Sequence, residues 1–300
     1  MRSLFPLCCV CLLAVACTFD PPEFADDGAR AGEGLRCDLL TALEDGALSD
    51  PEPLPFNTIA REFDPYLTPD GLTLYFASNR PGSQETDLWL ARRSNSNAPF
   101  ADPIKADALG FNTPELELRL WMTDDQRTAV LARRPRGGDG DLYIATRSSA
   151  ALPFGDLEPL AELNTGDEFD PWLSSDGLRI YYAGEQPGRS TRNVLMARRE
   201  NAVTGDAPFG DARPVIATGN QSMGDIYLTA DELLIFYTVG ADLRYATRSR
   251  AEEAFSVGAS VPVIDGSDIT VSSDGCEIFF QSDAAGSQDL YVSRVLTPGF

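Results

Sequence analysis

The chain has 300 residues, 43% apolar and 23% charged, which is enough to bury a sizeable core and too apolar for wholesale disorder. Its 46 acidic residues against 24 basic ones give a formal charge of −22 with no segregated basic stripe, so nucleic acid is excluded as a partner. It has no histidine, which removes Ser-His-Asp and Cys-His catalysis, His-liganded zinc and imidazole pH sensing.

The N-terminus comes first. Arg2 leads into an apolar run over residues 4–16 that ends Ala14-Val15-Ala16-Cys17. The run is too short and wrongly flanked for a spanning helix. Small residues just before a cysteine resemble the bacterial lipobox, with Ala14 where leucine is usual. That resemblance implies a signal peptide over residues 1–16 and diacylation of Cys17; an ordinary secretory signal cleaved after Ala16 is the alternative. Both export the chain, and lipidation anchors it to a membrane at roughly 0.8 kcal/mol per buried methylene. By resemblance to envelope sorting rules, Thr18 rather than aspartate after the anchor favours the outer membrane, facing the periplasm. Residues 17–50, rich in Asp, Glu, Gly, Ala and Pro, read as a lipidated start and a flexible acidic tether, with a short helix near residues 37–45.

From residue 51 the chain repeats itself. The first copy, Glu62-Phe63-Asp64-Pro65-Tyr66-Leu67-Thr68-Pro69-Asp70-Gly71, returns as Glu168-Phe169-Asp170-Pro171-Trp172-Leu173-Ser174-Ser175-Asp176-Gly177. Weaker copies surround Asp125, Asp231 and Asp274, and the five turn aspartates are spaced by 55, 51, 55 and 43 residues. Each copy reads as strand, tight turn, strand, loop, strand, loop, strand. The Asp-Gly pairs supply the hairpin signal, because glycine accepts positive φ. Asp125-Gln126 and Asp231-Glu232 lack the glycine and are expected to turn differently. The spacing predicts an all-β, five-bladed propeller of four-stranded blades over residues 51–300, with six blades as the alternative. Glu52-Pro53-Leu54-Pro55-Phe56-Asn57-Thr58 matches the outer strand around Glu158-Pro159, so an N-terminal strand is expected to complete the last blade.

Two further cysteines survive removal of the signal, Cys37 in the tether and Cys276 just past the fifth hairpin turn. In an oxidising compartment they either pair, stapling the tether to the blade that the N-terminal strand completes, or remain two free thiols.

Asp-Pro-Tyr/Trp-Leu-Ser/Thr-x-Asp-Gly, followed by Leu72-Thr73-Leu74-Tyr75-Phe76-Ala77, Ser78-Asn79-Arg80-Pro81-Gly82 and Asp87-Leu88-Trp89, resembles the TolB-type WD-like β-propeller repeat of periplasmic proteins. The resemblance is specific in the first and third copies. It implies the fold, the compartment and a bias towards protein binding, and not TolB's own role, because TolB's extra N-terminal domain has no counterpart here.

Alignment on the turn aspartate exposes columns. Six residues before it stand Asp64, Arg119, Asp170, Asp225 and Asp268. On innermost strands these would gather at one channel mouth, where Asp64, Asp170, Asp225 and Asp268 form an oxygen-rich ring suited to Ca²⁺ or another hard cation; no cofactor is required. The competing reading is that each aspartate serves its own blade's backbone, with Arg119 neutralising part of the ring. Four residues before the turn, Tyr66, Trp121, Trp172 and Tyr227 form either a ligand rim for sugar or peptide or inter-blade packing. Eight before it stand Glu62, Glu117 and Glu168.

Together these readings describe a non-catalytic, lipid-anchored binding or scaffold propeller of the cell envelope, with an envelope protein or wall polymer as partner. The alternatives are a glycan-active propeller enzyme using the channel-mouth carboxylates, or a purely structural envelope component.

Overall fold

The computed structural model describes residues 36–185, 191–201, 207–216 and 221–296. Within them lie five antiparallel four-stranded sheets, arranged as a five-bladed β-propeller. Blade 1 runs outward through Glu62–Leu67, Thr73–Ser78, Asp87–Arg92 and Ile104–Lys105. The innermost strands of blades 2 to 5 are Leu116–Met122, Phe169–Leu173, Met223–Leu228 and Ser267–Val271. The outer strand of blade 5 is Glu52–Pro53, paired with Asp289–Arg294 through Glu52↔Val292 and Pro53↔Tyr291. The ring thus closes by joining the two ends of the propeller sequence, as the match around Glu158-Pro159 predicts.

One local device builds every blade. The hydroxyl of Thr68 bonds Asp70 Oδ1 (2.6 Å), which also accepts from Leu72 N (2.9 Å), while Thr73 N donates to Thr68 Oγ1 (3.0 Å). Thr123/Asp125, Ser174/Asp176, Thr229/Asp231 and Ser272/Asp274 repeat the hydroxyl–aspartate bond. The residue after each aspartate is left-handed: Gly71, Gly177 and Gly275 at φ 70°, 69° and 73°, and also Gln126 and Glu232 at 54° and 61°. The expected exception at those two positions therefore does not occur. The hydroxyl–aspartate clamp sets the turn, and the glycine only removes a strain of roughly 1 kcal/mol that the clamp can override.

An arginine at the end of the third strand locks the turn from behind. Arg93 Nε donates to Gly71 O, Arg147 Nε to Gln126 O, Arg199 Nε to Gly177 O and Arg248 Nε to Glu232 O, all between 2.6 and 2.7 Å. The same guanidinium lies over the phenylalanine that follows the strand, Phe100, Phe154, Phe209 or Phe255, at 4.2 to 4.8 Å. Blade 5 departs from this scheme. Val295 takes the arginine's place, its N–H reaching Cys276 O (3.0 Å), and Cys276 is instead bonded to Cys37 (S–S 2.01 Å).

That bond is the paired one of the two readings of these cysteines, and the short helix expected near residues 37–45 forms beside it. The correction is that the stretch from Cys37 onward, read as part of a flexible tether, is packed structure. Asp38 caps helix α1 (Leu39–Asp45) by accepting from Thr41 N (3.0 Å), and Gly46 ends it in the left-handed region at φ 67°. Leu39, Leu40, Ala42 and Leu43 are buried with Leu234, Phe236, Ile278 and Phe280 at the seam of blades 4 and 5. Leu48 then bridges Val295. An acidic composition concealed a leucine face that the last blade needs. Residues 1–16 and Cys17 lie outside the described residues.

Candidate functional site

The central channel is built in layers, each set by one position of the innermost strand. At the mouth where those strands begin, every innermost strand shifts register, between Phe63 and Tyr66 in blade 1 and at the equivalent pairs elsewhere. The bulged residues Asp64, Asp170, Asp225 and Asp268 have φ of 52° to 54°. Aspartate tolerates that conformation better than other non-glycine residues, so the bulge accounts for a column of small polar residues.

The bulge also points the carboxylates inward. Oxygens of Asp64, Asp170 and Asp268 lie within 4.8 Å of one another, each residue more than nine-tenths buried. Asp225 stands beside them, its N–H donating to Asp170 Oδ2 (2.7 Å) and its Oδ2 accepting from Thr238 Oγ1 (2.8 Å). Burial first, and neighbouring carboxylates next, push Asp64 up to about 7, Asp170 to about 6 and Asp225 to about 8, with Asp268 well above the usual range.

Arg119, at the same column in blade 2, forms the next layer. It is 1% exposed, and its Nη2 donates to Ile226 O (3.1 Å) and Ile269 O (2.6 Å), the carbonyls just after Asp225 and Asp268. The guanidinium therefore crosses the channel one residue below the aspartates, and it draws all four of their pKa values down. Its Nη1 has no hydrogen-bond partner.

The aromatic column follows. Tyr66 OH donates to Met122 O (3.3 Å), Trp121 Nε1 to Leu173 O (3.0 Å) and Tyr227 OH to Val271 O (3.2 Å). Each aromatic thus reaches a carbonyl of the next blade, one residue past the next blade's own column position. Trp172 breaks the series, its buried Nε1 having no partner. Tyr66, Trp172 and Tyr227 are buried and pack between blades, and with Trp121 they also line the recess at the hairpin mouth. Trp121 differs: it is half-buried and packs against Tyr66, Trp172 and Tyr227 with centroids at 5.0, 5.3 and 5.7 Å.

Above Trp121, at the hairpin mouth, all five blades surround a cup of about 130 Å³. Its walls include Pro69, Met122, Ala230 and Val271, with Asp124 and Ser273 among its polar lining. The exposed turn aspartates Asp70, Asp125, Asp176 and Asp231 belong to the hairpins whose first residues form that wall. The four aromatics read as a candidate rim, Tyr66, Trp121, Trp172 and Tyr227, are among its lining, as are residues of the Ser/Thr-x-Asp turns.

The remaining columns are structural. Glu62 receives Arg80 Nη2 (3.0 Å) and Thr58 Oγ1 (2.7 Å), and Glu117 receives Arg133 Nε (3.1 Å) and Thr113. Glu168 has Thr165 and, among the described residues, no arginine, with Gly184 beside it; burial raises both Glu117 and Glu168 to about 7. At the outer side of the acidic mouth, Arg134 and Arg192 lie over Phe169, and Arg61 lies over Phe63. No property of the repeat pointed to that arginine rim, because its members occupy different repeat positions.

No protein-family model and no curated protein matches the sequence. Among solved structures the chain is similar to TolB from Acinetobacter baumannii, with 12% identity over 79% of this chain and 54% of that one and a TM-score of 0.49; it spans about half that protein's length. It is similar to a thermostable family-43 glycoside hydrolase, with 13% identity, 81% and 91% of the two chains covered and a TM-score of 0.52. An endo-arabinase from Bacteroides thetaiotaomicron gives 10% identity, 83% and 98% coverage and a TM-score of 0.52. At these identities what is shared is the fold.

Proposed function

We propose that this protein is a non-catalytic binding propeller, exported and lipid-anchored in the envelope through Cys17, whose ligand surface is the cup at the hairpin mouth. The observation that carries this reading is the cup itself: an apolar recess of about 130 Å³, floored by Trp121 and walled by all five blades. That volume is well below the roughly 300–1,000 Å³ of small-molecule sites and suits one anchoring side chain of a protein partner. The acidic hairpins around it favour a partner whose apolar anchor is flanked by lysine or arginine.

A glycosidase reading is less well served by the acidic mouth. Glycosidic cleavage sets its two carboxyl groups about 5–5.5 Å or 6.5–9.5 Å apart with the sugar between them. Here three oxygens sit within 4.8 Å of one another on buried side chains, and Arg119 lies across the channel beneath them.

The test uses amidated, acetylated Lys-Lys-Phe-Lys-Lys and Glu-Glu-Phe-Glu-Glu peptides, with tryptophan fluorescence as the readout. Saturable, salt-sensitive binding of the basic peptide, lost in Trp121→Ala, is the expected outcome. Equal binding of both peptides, or binding that survives Trp121→Ala, overturns it. Polysaccharide turnover abolished by Asp64→Asn would replace this reading with the enzymatic one. Failure of a Cys17→Ser variant to lose its membrane association would remove the anchor.

A further inference from the structure

We propose that the acidic mouth, at the opposite end of the channel from the cup, binds one hydrated hard divalent cation of the Ca²⁺ type through Asp64, Asp170 and Asp268. The proposal is independent of what the cup binds.

Three observations converge on it. The first is geometric. Carboxylate oxygens from three different blades approach a common point with a spread of at most 4.8 Å. Oxygens on opposite sides of one Ca²⁺ stand roughly 4.6–5.2 Å apart, twice its 2.3–2.6 Å bond, whereas Mg²⁺ holds them to about 4.2 Å at most. The 4.8 Å upper bound is compatible with the oxygen spacing around one Ca²⁺.

The second is the unpaired Nη1 of Arg119, on a side chain 1% exposed whose guanidinium spans the channel directly below the ring. A buried N–H without an acceptor costs about 1–3 kcal/mol. An oxygen within the ring satisfies it, and a water carried on the cation supplies one where none of the four carboxylates is placed to accept from Nη1.

The third is that the backbone does not explain the side chains. The left-handed bulge at φ 52° to 54° accepts asparagine or glycine as readily as aspartate. Nothing in the turn requires four carboxylates to meet where burial opposes their charge. A dication compensates that charge directly. Asp225 then acts as an outer support: it donates its N–H to Asp170 Oδ2 and is itself held by Thr238. A recess of about 400 Å³, lined by Arg61, Phe63, Arg134, Phe169 and Arg192, opens on Asp64, Asp170 and Asp268 and leaves room for the remaining waters.

The experiment is calorimetric titration of CaCl₂ into the chelator-treated, detergent-solubilised full chain, with Tb³⁺ luminescence sensitised by the channel tryptophans as a second readout. One saturable site per chain is expected. Asp64→Asn and Asp268→Asn should each weaken it at least tenfold, and Asp102→Asn, on an exposed loop, should leave it unchanged. Asparagine keeps the left-handed bulge, and an unaltered near-ultraviolet circular dichroism spectrum verifies that these variants fold. If they do not, anomalous diffraction from wild-type crystals soaked in Tb³⁺ decides the matter, because the ion must then lie within bonding distance of all three carboxylates. No saturable site, undiminished affinity in both folded Asn variants, or an ion or buffer amine bound elsewhere overturns the proposal.

Discussion

The two mouths of the channel are made from the same five strands and differ in almost every physical respect. Where the strands begin, a bulge turns residues such as Asp64 and Asp170 inward, and the mouth is narrow, buried and electrostatically frustrated. Four residues before four of the five turn aspartates, at the other end, aromatic groups pack blade to blade, and the mouth is apolar with exposed turn aspartates outside it. A repeat offers every blade the same positions. The difference between the mouths comes from what each position costs to bury: an aromatic stabilises by burial and by one hydrogen bond to its neighbour, whereas a carboxylate is stabilised only if something neutralises it.

Breaking the neutralisation should therefore produce the largest effect. Arg119→Met removes the guanidinium that faces four aspartates and leaves Ile226 O and Ile269 O without their donor. We expect a loss of about 3–5 kcal/mol, the range for a buried charge cluster deprived of one partner, measured by urea unfolding in the presence of chelator. A loss below about 1 kcal/mol would mean that the ring is neutralised by protons alone and that Arg119 is dispensable.

Next in size is Trp121→Ala at the opposite mouth. Its indole packs on three aromatics and donates to Leu173 O, but it is half-buried, so we expect about 2–3 kcal/mol, below the range for a fully buried tryptophan. An equal or larger loss than Arg119→Met would reverse the ranking of the two mouths.

The pH dependence distinguishes them by sign. Asp64, Asp170 and Asp225 have folded pKa values of about 7, 6 and 8 against an ordinary 3.8. Between those limits the folded state holds more protons than the unfolded one, so stability is greatest near pH 4 and falls as pH rises towards 8. The general negative charge of the chain adds a slope of the same sign, so the diagnostic is a difference: in chelator, the urea midpoint of Asp64→Asn should fall less between pH 5 and pH 8 than that of the wild type. Parallel slopes would show that the ring does not titrate. Substitutions in the aromatic layer, such as Tyr66→Phe, should leave the slope unchanged.

Much of this architecture can be read along the chain, and the parts that cannot have a common cause. The turn aspartates, the glycine hairpins, the closing strand at Glu52–Pro53 and the columns through Asp64 and Tyr66 are local patterns, visible because each repeats. Gln126 and Glu232 look like departures from the turn, yet both are held left-handed, because the clamp from Thr123 or Thr229 is local and outweighs one missing glycine. The arginine clasp was present in the sequence as two unrelated fragments, the basic end of the third strand and the Pro-Phe step after it; only folding shows that one stacks on the other. Helix α1 is expected from its own residues, but its packing on the last blades escaped because no other copy of the repeat carries such a helix to announce it. The same holds for Trp121: its column predicts its position, and its exposure depends on three neighbours from three other blades.

The smallest effect we expect comes from Tyr66→Phe, and it isolates what holds the aromatic mouth together. The substitution keeps the ring that packs on Tyr75 and Trp121 and removes only the hydroxyl that donates to Met122 O at 3.3 Å. A neutral hydrogen bond contributes about 0.5–1.5 kcal/mol net, and at this length the lower half of that range is expected. Trp172 supplies the internal comparison. It occupies the same column, makes the same packing contacts with Trp121 and Tyr181, and has no partner for its Nε1. If packing alone unites the blades here, Tyr66→Phe will be neutral and the blade 1 tie will prove no stronger than the one at Trp172. A measured loss of at least about 0.5 kcal/mol with unchanged pH slope would instead show that the relay of donors from blade to blade stabilises this mouth, whereas the other mouth depends on Arg119 to offset the repulsion among its carboxylates.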